Sequence, residues 1–241
     1  RGLAPHVLHM TATPIPRTLS LTVYGDLDTT ALRELPVGRR PVETRLVPED
    51  ERAAAYELVR ERLREGRQAY VVCPLVSASE SIEARAAEEE AARLQRAELA
   101  EFRVGCLHGK LRAQERRTIM DAFSRHELDV LVATTVIEVG VDVPNATVMV
   151  IMDADGFGVS QLHQIRGRVG RGEHPGLCLL GTEQPEGAPG RERLLAVEST
   201  LDGFALARID LEQRREGDVL GTAQSGRRSS LQVLRAIFDY T

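Results

Sequence analysis

Tryptophan is missing from the 241 residues, and all aromatic residues together make up 4% of the chain. Recognition that stacks base after base on aromatic rings needs more of them, so single-strand binding of that type is excluded and tracking of a phosphate backbone remains. Cysteine is equally scarce. Cys73, Cys106 and Cys178 are far apart, form no C-x-x-C pair and sit in apolar runs such as residues 69–73, which predicts small core residues in a reducing cytoplasm. No stretch approaches the roughly 18 continuous apolar residues of a membrane span, and no basic-then-apolar leader precedes the first motif. A membrane partner is therefore not expected, and a cytoplasmic location is. Positive charge is not in excess either. A net charge of -5 excludes a globally basic nucleic-acid coat, so phosphate contacts must come from local Lys, Arg and backbone N–H groups.

Hydrolytic motifs are also lacking. Gly105, Gly109 and Lys110 imitate a phosphate loop, but the glycines are one residue too close and Leu111 replaces the required Ser or Thr. No other G-x-x-x-x-G-K-[ST] occurs, and no strand ends in a paired Asp-Glu to hold magnesium. His126-Glu127 has no second His at metal-protease spacing, and Asp153-x-Asp155-Gly156 lacks the later ligands of a calcium loop, so no metal site is assigned.

What is present is 42% hydrophobic residues in a regular alternation. Short β-branched runs at 44–47, 69–73, 103–107, 130–133, 147–151 and 177–180 predict strands. The amphipathic stretches 49–64 (closed by Gly66), 79–100, 113–123 and 160–165 predict helices. That order specifies an α/β fold, a parallel sheet flanked by helices, over residues 42–186. The run 36–41, with two prolines and a glycine, reads as a linker, and 183–190 as a loop before a tail that is helical until Gly217. The acidic run Glu88-Glu89-Glu90 reads as the solvated face of a helix. The chain opens on Arg1 with a strand-like run almost at once, which suggests excision from a longer polypeptide.

The strongest chemical signal is Gln161 to Gly172, where Arg166, Arg168 and Arg171 alternate with Gly167, Gly170 and Gly172 just after a short helix. Glycines let backbone approach phosphate, and a guanidinium presents a permanently charged fork, so Arg168 and Arg171 are candidate arginine fingers for a γ-phosphate held by another lobe. A second signal, Val130 to Pro144, is a buried strand entering a polar turn at its carboxyl end, where open α/β sheets hold ligands. There Thr134 and Thr135 could hold nucleic-acid phosphate, Asp142 could accept from a ribose hydroxyl, and Gly140 leaves room for a nucleotide. His108-Gly109-Lys110 and the Ser77, Ser79 loop are assigned to the same edge, with Lys110 as a phosphate contact.

With these residues in place the chain resembles the superfamily-two helicases, and within them the RecG family. Met10 to Leu19 resembles motif III, 70–75 motif IV, 108–110 the next DNA-contacting element, 134–144 motif V, and Gln164 to Arg171 motif VI. The resemblance implies a RecA-like second motor lobe at 42–186, the end of the first lobe at 1–35, and a helical hairpin at 187–241 that couples hydrolysis to translocation. It implies catalytic roles for Arg168, Arg171 and Gln164, and ATP contacts by Gly140, Asp142 and Gly167. DNA contacts fall to His108, Gly109, Lys110, Thr134 and Thr135, and coupling to Thr11, Thr13, Arg17 and Gln224. The implied cofactor is ATP with magnesium, whose ligands would lie in the first lobe. The implied partners are branched or duplex DNA and the first lobe and wedge domain of the same parent chain, with a monomer as the expected state. Arg214 to Asp218 departs from the family's usual Arg-Gly-Pro-Gly-Glu, which alters the expected hairpin turn. Two alternatives stand beside this reading: a transcription-repair coupling factor motor, and a non-catalytic nucleic-acid-binding lobe.

Overall fold

The computed structural model of the chain describes residue 30 and residues 40–74, 80–134 and 142–209. Six strands form one parallel sheet: β1 (Val42–Pro48), β2 (Gln68–Val72), β3 (Val104–Leu107), β4 (Val130–Ala133), β5 (Ala146–Ile151) and β6 (Gly176–Thr182). Their spatial order is β1-β6-β5-β2-β4-β3. The central strands β2, β4 and β5 are buried at every position, as expected where helices cover both faces of a parallel sheet and no residue is left for solvent.

Five helices are complete among the described residues: α1 (Arg52–Arg64), α2 (Glu80–Arg96), α3 (Ala113–Ser124), α4 (Val159–Arg166) and α5 (Pro189–Ser199). One face of the sheet packs against Tyr56, Val59 and Leu63 of α1 and Ala87, Ala91 and Leu94 of α2. The other packs against Met120 and Phe123 of α3, Val159 and Leu162 of α4, and Leu194 and Val197 of α5. On that second face the Tyr70 and Phe123 rings meet at 5.0 Å with a 53° tilt, an aromatic pair worth about 1 kcal/mol beyond its area.

Helix boundaries differ from expectation where local bonding outweighs periodicity. Pro48 ends β1, and Glu49–Glu51 form a 3-10 turn before α1 begins at Arg52. Gly66, at φ +78°, closes α1 as expected, with its N–H donating to the Leu63 carbonyl at 2.9 Å. α2 stops at Arg96 rather than near residue 100. Arg93 reaches forward to both oxygens of Glu98 (2.6 and 2.8 Å), and Gln95 donates to the Phe102 carbonyl at 2.8 Å, folding residues 97–101 into turns that bury Leu99. The tail is not one helix. Thr200 is extended (φ -142°, ψ 146°), and helix resumes at 203 because Asp202 Oδ1 accepts the Phe204 N–H at 2.8 Å, an N-cap.

Candidate functional site

In a parallel sheet every strand starts at one edge and ends at the other, so a loop leaving β4 must cross back before β5 begins. This divides the expected site in two. Thr134 follows β4 at the carboxyl edge, whereas Asp142 precedes β5 at the amino edge. The assignment of both to one edge is therefore corrected. Thr135, Gly140, Ser77 and Ser79 lie outside the described residues, as do Thr11, Thr13, Arg17 and Gln224.

The amino edge collects the arginine loop. α4 starts at the carboxyl edge and descends the sheet, delivering Gly167 to Gly172 beside the first residues of β1 and β6. The helix is started by Gln161 Oε1, which accepts the Gly158 N–H at 3.0 Å. Gly170 adopts φ +69°, and a Cβ there would lie 2.9 Å from Val42 Cγ2 and 3.5 Å from the Gly176 backbone, so only glycine lets the loop turn this tightly against the strands. Arg171 donates from Nε to the Gly167 carbonyl at 3.1 Å and faces Asp142 at 3.6 Å. Arg168 is half-buried and its guanidinium has no hydrogen bond or ion pair among the described residues. Gln164 is exposed on α4, one turn before the loop.

Arg166 is different. It is 2% exposed, and it donates to the Val197 carbonyl (2.5 Å) and Thr44 Oγ1 (3.3 Å) and lies 3.0 Å from His163 Nδ1. Burial lowers its pKa. Val197 is in the last turn of α5, where carbonyls lack an intrahelical partner, so Arg166 is a cap that ties α4 to α5 and not a third finger.

Just behind the amino edge, Gln68 is buried and donates to the Phe123 and Leu128 carbonyls (2.6 and 2.8 Å). Asn145 donates to Gly66 O (2.9 Å) and Gln68 Oε1 (3.1 Å) and accepts from Arg67 (3.0 Å). These bonds fix the chain three residues after Asp142. Sequence reading missed both amides, since neither belongs to a recognisable motif.

At the carboxyl edge, His108 and Thr134 come together: the Thr134 N–H donates to the Leu107 carbonyl at 3.3 Å, and both side chains are buried. Gly109 and Lys110 are exposed on the turn that follows. His108 Nε2 lies 2.9 Å from Glu88 Oε1 on α2. The acidic run is solvated at Glu88, which still reaches His108, and at Glu89, whereas Glu90, only 14% exposed, pairs with Arg93 at 2.7 Å and with Arg52 of α1 at 3.9 Å. Spacing alone does not distinguish these carboxylates from Glu89.

The three cysteines are free. Cys73 and Cys178 are buried and Cys106 partly so, and burial pushes their thiols up to about 12, 12 and 11 respectively. Among the described residues no three His, Cys, Asp or Glu side chains group to hold a metal ion, and no helix is long and apolar enough to cross a membrane.

Comparison with known proteins gives consistent findings. Residues 51–173 match the family described as helicase conserved C-terminal domain. The chain is 53% identical over 244 residues to the ATP-dependent DNA helicase RecG of Mycobacterium tuberculosis, with 97% of this chain and 33% of that protein covered. It is 45% identical over 240 residues to the RecG of Bacillus subtilis, covering 100% of this chain and 35% of that protein. The chain thus spans about a third of the length of the curated relatives it matches. A structure of RecG bound to a three-way DNA junction superposes with a TM-score of 0.70 at 44% identity, over 83% of this chain and 26% of that one. The Saccharomyces cerevisiae protein Dbp5 bound to RNA and ADP BeF3 shares the fold at a TM-score of 0.53 and 19% identity, covering 78% of this chain and 46% of that one. With the family match spanning more than half of the chain, and an arginine-glycine loop at one edge of a six-stranded parallel sheet opposite the His108 and Thr134 edge, the chain belongs to the helicase conserved C-terminal domain family, with RecG helicases as its relatives.

Proposed function

We propose that this chain is the second motor lobe of an ATP-dependent DNA helicase that remodels branched DNA, acting with a first lobe on the same parent polypeptide. The observation that supports this reading is the amino-edge cluster, where among the described residues Arg168 has no ion pair or hydrogen bond from its guanidinium and Arg171 is held by Asp142 and a backbone carbonyl. Such guanidiniums fit a triphosphate, because they can approach its terminal oxygens and match them with a planar fork. ATP, when bound between the lobes, supplies the phosphoanhydride bond whose cleavage powers the motor.

This chain's own part is positional and electrostatic. Arg168 and Arg171 neutralise charge that builds on the outer phosphate, Gly170 lets the loop approach, and Gln164 lines the helix beside them. Arg166, locked into α5, keeps the loop in register while those two move. At the other edge, His108, Gly109, Lys110 and Thr134 contact DNA phosphate. Magnesium belongs to the first lobe in this reading, and the described residues here assemble no carboxylate site for it.

The test is ATP turnover. The isolated chain should show no DNA-stimulated ATPase, whereas the full-length parent should, and Arg168→Ala or Arg171→Ala in the parent should lower turnover by about a thousandfold. Near-normal turnover by either variant, or robust turnover by the isolated chain, refutes the assignment.

A further inference from the structure

The chain carries 31 Lys and Arg residues against 36 Asp and Glu, and among the described residues many arginines are tied to a carboxylate. Arg60 pairs with Glu57, Arg64 with Glu57 and Glu101, Arg93 with Glu90 and Glu98, Arg103 with Asp129, and Arg125 with Glu127. Among the described residues Arg40, Arg85, Arg96 and Arg208 are exposed without such a partner at scattered positions, whereas one segment concentrates unpaired cations. Between positions 110 and 117 stand Lys110, Arg112, Arg116 and Arg117, and none of their side chains has an ion pair or hydrogen bond among the described residues. Lys110 is also the only lysine in the chain. Lys110, Arg112 and Arg117 are exposed and Arg116 is half-buried.

Two nearby acids are engaged elsewhere, and Asp121, one turn beyond Arg117, makes no ion pair with the segment. Glu115 Oε2 accepts the Arg112 backbone N–H at 2.8 Å, and Glu88 is turned onto His108. The cations therefore keep their charge unneutralised. They also occupy the start of α3, where the helix dipole favours anions.

We infer that Lys110, Arg112, Arg116 and Arg117 form a row of contacts to duplex phosphates, extending the His108 to Lys110 contact along the first turns of α3. This rests on the nucleic-acid reading above and adds residues to it. Arg112 to Arg117 covers about 7.5 Å of helix at roughly 1.5 Å per residue, while one strand of a duplex presents a phosphate about every 3.4 Å of axis, so the row spans about two successive phosphates and the gap beyond them. The four cations lie on one continuous segment and reach no base-reading element among the described residues. Binding here is consequently independent of base sequence and dependent on salt.

The experiment measures the affinity of the 241-residue chain for a mixed-sequence fluorescent DNA duplex over a sodium chloride series. The variant Arg112→Gln/Arg116→Gln/Arg117→Gln should flatten the slope of log affinity against log salt by about 2 to 3, at about 0.9 per lost phosphate contact. The control Arg64→Gln/Arg103→Gln/Arg125→Gln removes the same number of charges from paired arginines and should leave the slope unchanged. A slope shared by the triple variant and the wild type overturns this inference alone, as does an equal loss in the control. Failure of the wild-type chain to bind duplex at any salt overturns the nucleic-acid reading itself. Because Lys110 is the single lysine, an amine-reactive acylating reagent followed by peptide mass spectrometry gives a second readout. Saturating duplex should suppress Lys110 modification at least severalfold, and undiminished labelling on the bound duplex counts against the row.

Discussion

Three arginines lie within six residues of one another, yet one is buried and bonded into the fold while the other two, proposed above as phosphate ligands, are more exposed, and stability measurements separate them. Arg166→Ala removes a charge-assisted hydrogen bond to the Val197 carbonyl, which is worth about 2 kcal/mol. It also withdraws a buried aliphatic stem, worth about another 2 kcal/mol at roughly 0.8 kcal/mol per methylene. Returning a guanidinium from a 2% exposed site to water offsets part of this, by about 1 kcal/mol. The net loss is about 3 kcal/mol, or a fall in Tm of about 6–12 °C for a domain of this size. Arg166→Met keeps the stem, so about half that loss should remain. Urea denaturation followed by far-UV circular dichroism measures all three proteins, with Arg168→Ala as the reference. The reference should change by less than about 0.5 kcal/mol, because its guanidinium has no hydrogen bond or ion pair among the described residues. If Arg166→Ala and Arg168→Ala unfold at the same urea concentration, the cap between α4 and α5 is not what Arg166 provides.

Gly170→Ala should cost more than Gly66→Ala although both positions have positive φ. The first adds a clash with Val42 to a backbone penalty of about 1 kcal/mol and the second meets open space, so equal unfolding midpoints would refute the packing argument. Folded Cys73 and Cys178 thiols titrate near 12, above the ordinary value of 9, so the unfolded chain loses its protons first and stability should fall as pH rises through about 9 to 12. Tyr56 and Tyr70, raised by burial from 10 to about 12, act in the same direction, and a flat urea midpoint between pH 8.5 and pH 11 would exclude it, as about two decades of pH lie within that window. Asp142→Asn should change the stability of the isolated chain by less than about 1 kcal/mol, since its ion pair with Arg171 is substantially exposed; a loss of about 2 kcal/mol or more in the same urea assay would show the pair to be structural.

Much of the fold was legible because the strands of a parallel sheet announce themselves. All six expected strands match within about two residues, and the Gly66 stop is where αL geometry was expected. The candidate site was legible only in part. Motif spacing singles out Arg168, Arg171, His108 and Thr134 as candidates, but spacing says nothing about which sheet edge a residue occupies, and Asp142 lies at the edge opposite Thr134 rather than beside it. Arg166 looked like its two neighbours because burial is a property of the packed face: on α4 its side of the helix also carries Leu162 and meets α5. Glu88 and Glu90 likewise differ from Glu89 through partners distant in sequence, His108 just after β3 and Arg52 on α1. The break at Thr200 was hidden by a run whose composition suits a continuous helix, and there a two-residue cap outweighs propensity.

The two edges matter to each other because the sheet between them is rigid and its loops are not equally bound. An arginine finger contributes a factor of about 10³ to 10⁵ in rate, equivalent to about 4–7 kcal/mol of transition-state stabilisation. Against this the resting hold on Arg171 is slight. Its pair with Asp142 leaves the side chains 37% and 56% exposed, a contact worth at most about 1 kcal/mol, and the Gly167 carbonyl adds about as much again. A phosphate presented by another lobe therefore wins Arg171 easily, whereas nothing in that range extracts Arg166 from α5. The loop can accordingly exchange partners without unseating α4. Asp142, relieved of its guanidinium, is anchored three residues downstream by Asn145 and Gln68, which bind β2, β5 and the end of α3 together. Strand β4, whose end carries Thr134, is hydrogen-bonded to that same β2. On the proposed function, a change in which group neutralises Asp142 acts on a segment bonded through Gln68 to the β2–β4 strand pair whose end carries Thr134, which gives nucleotide occupancy a physical route to the grip on DNA.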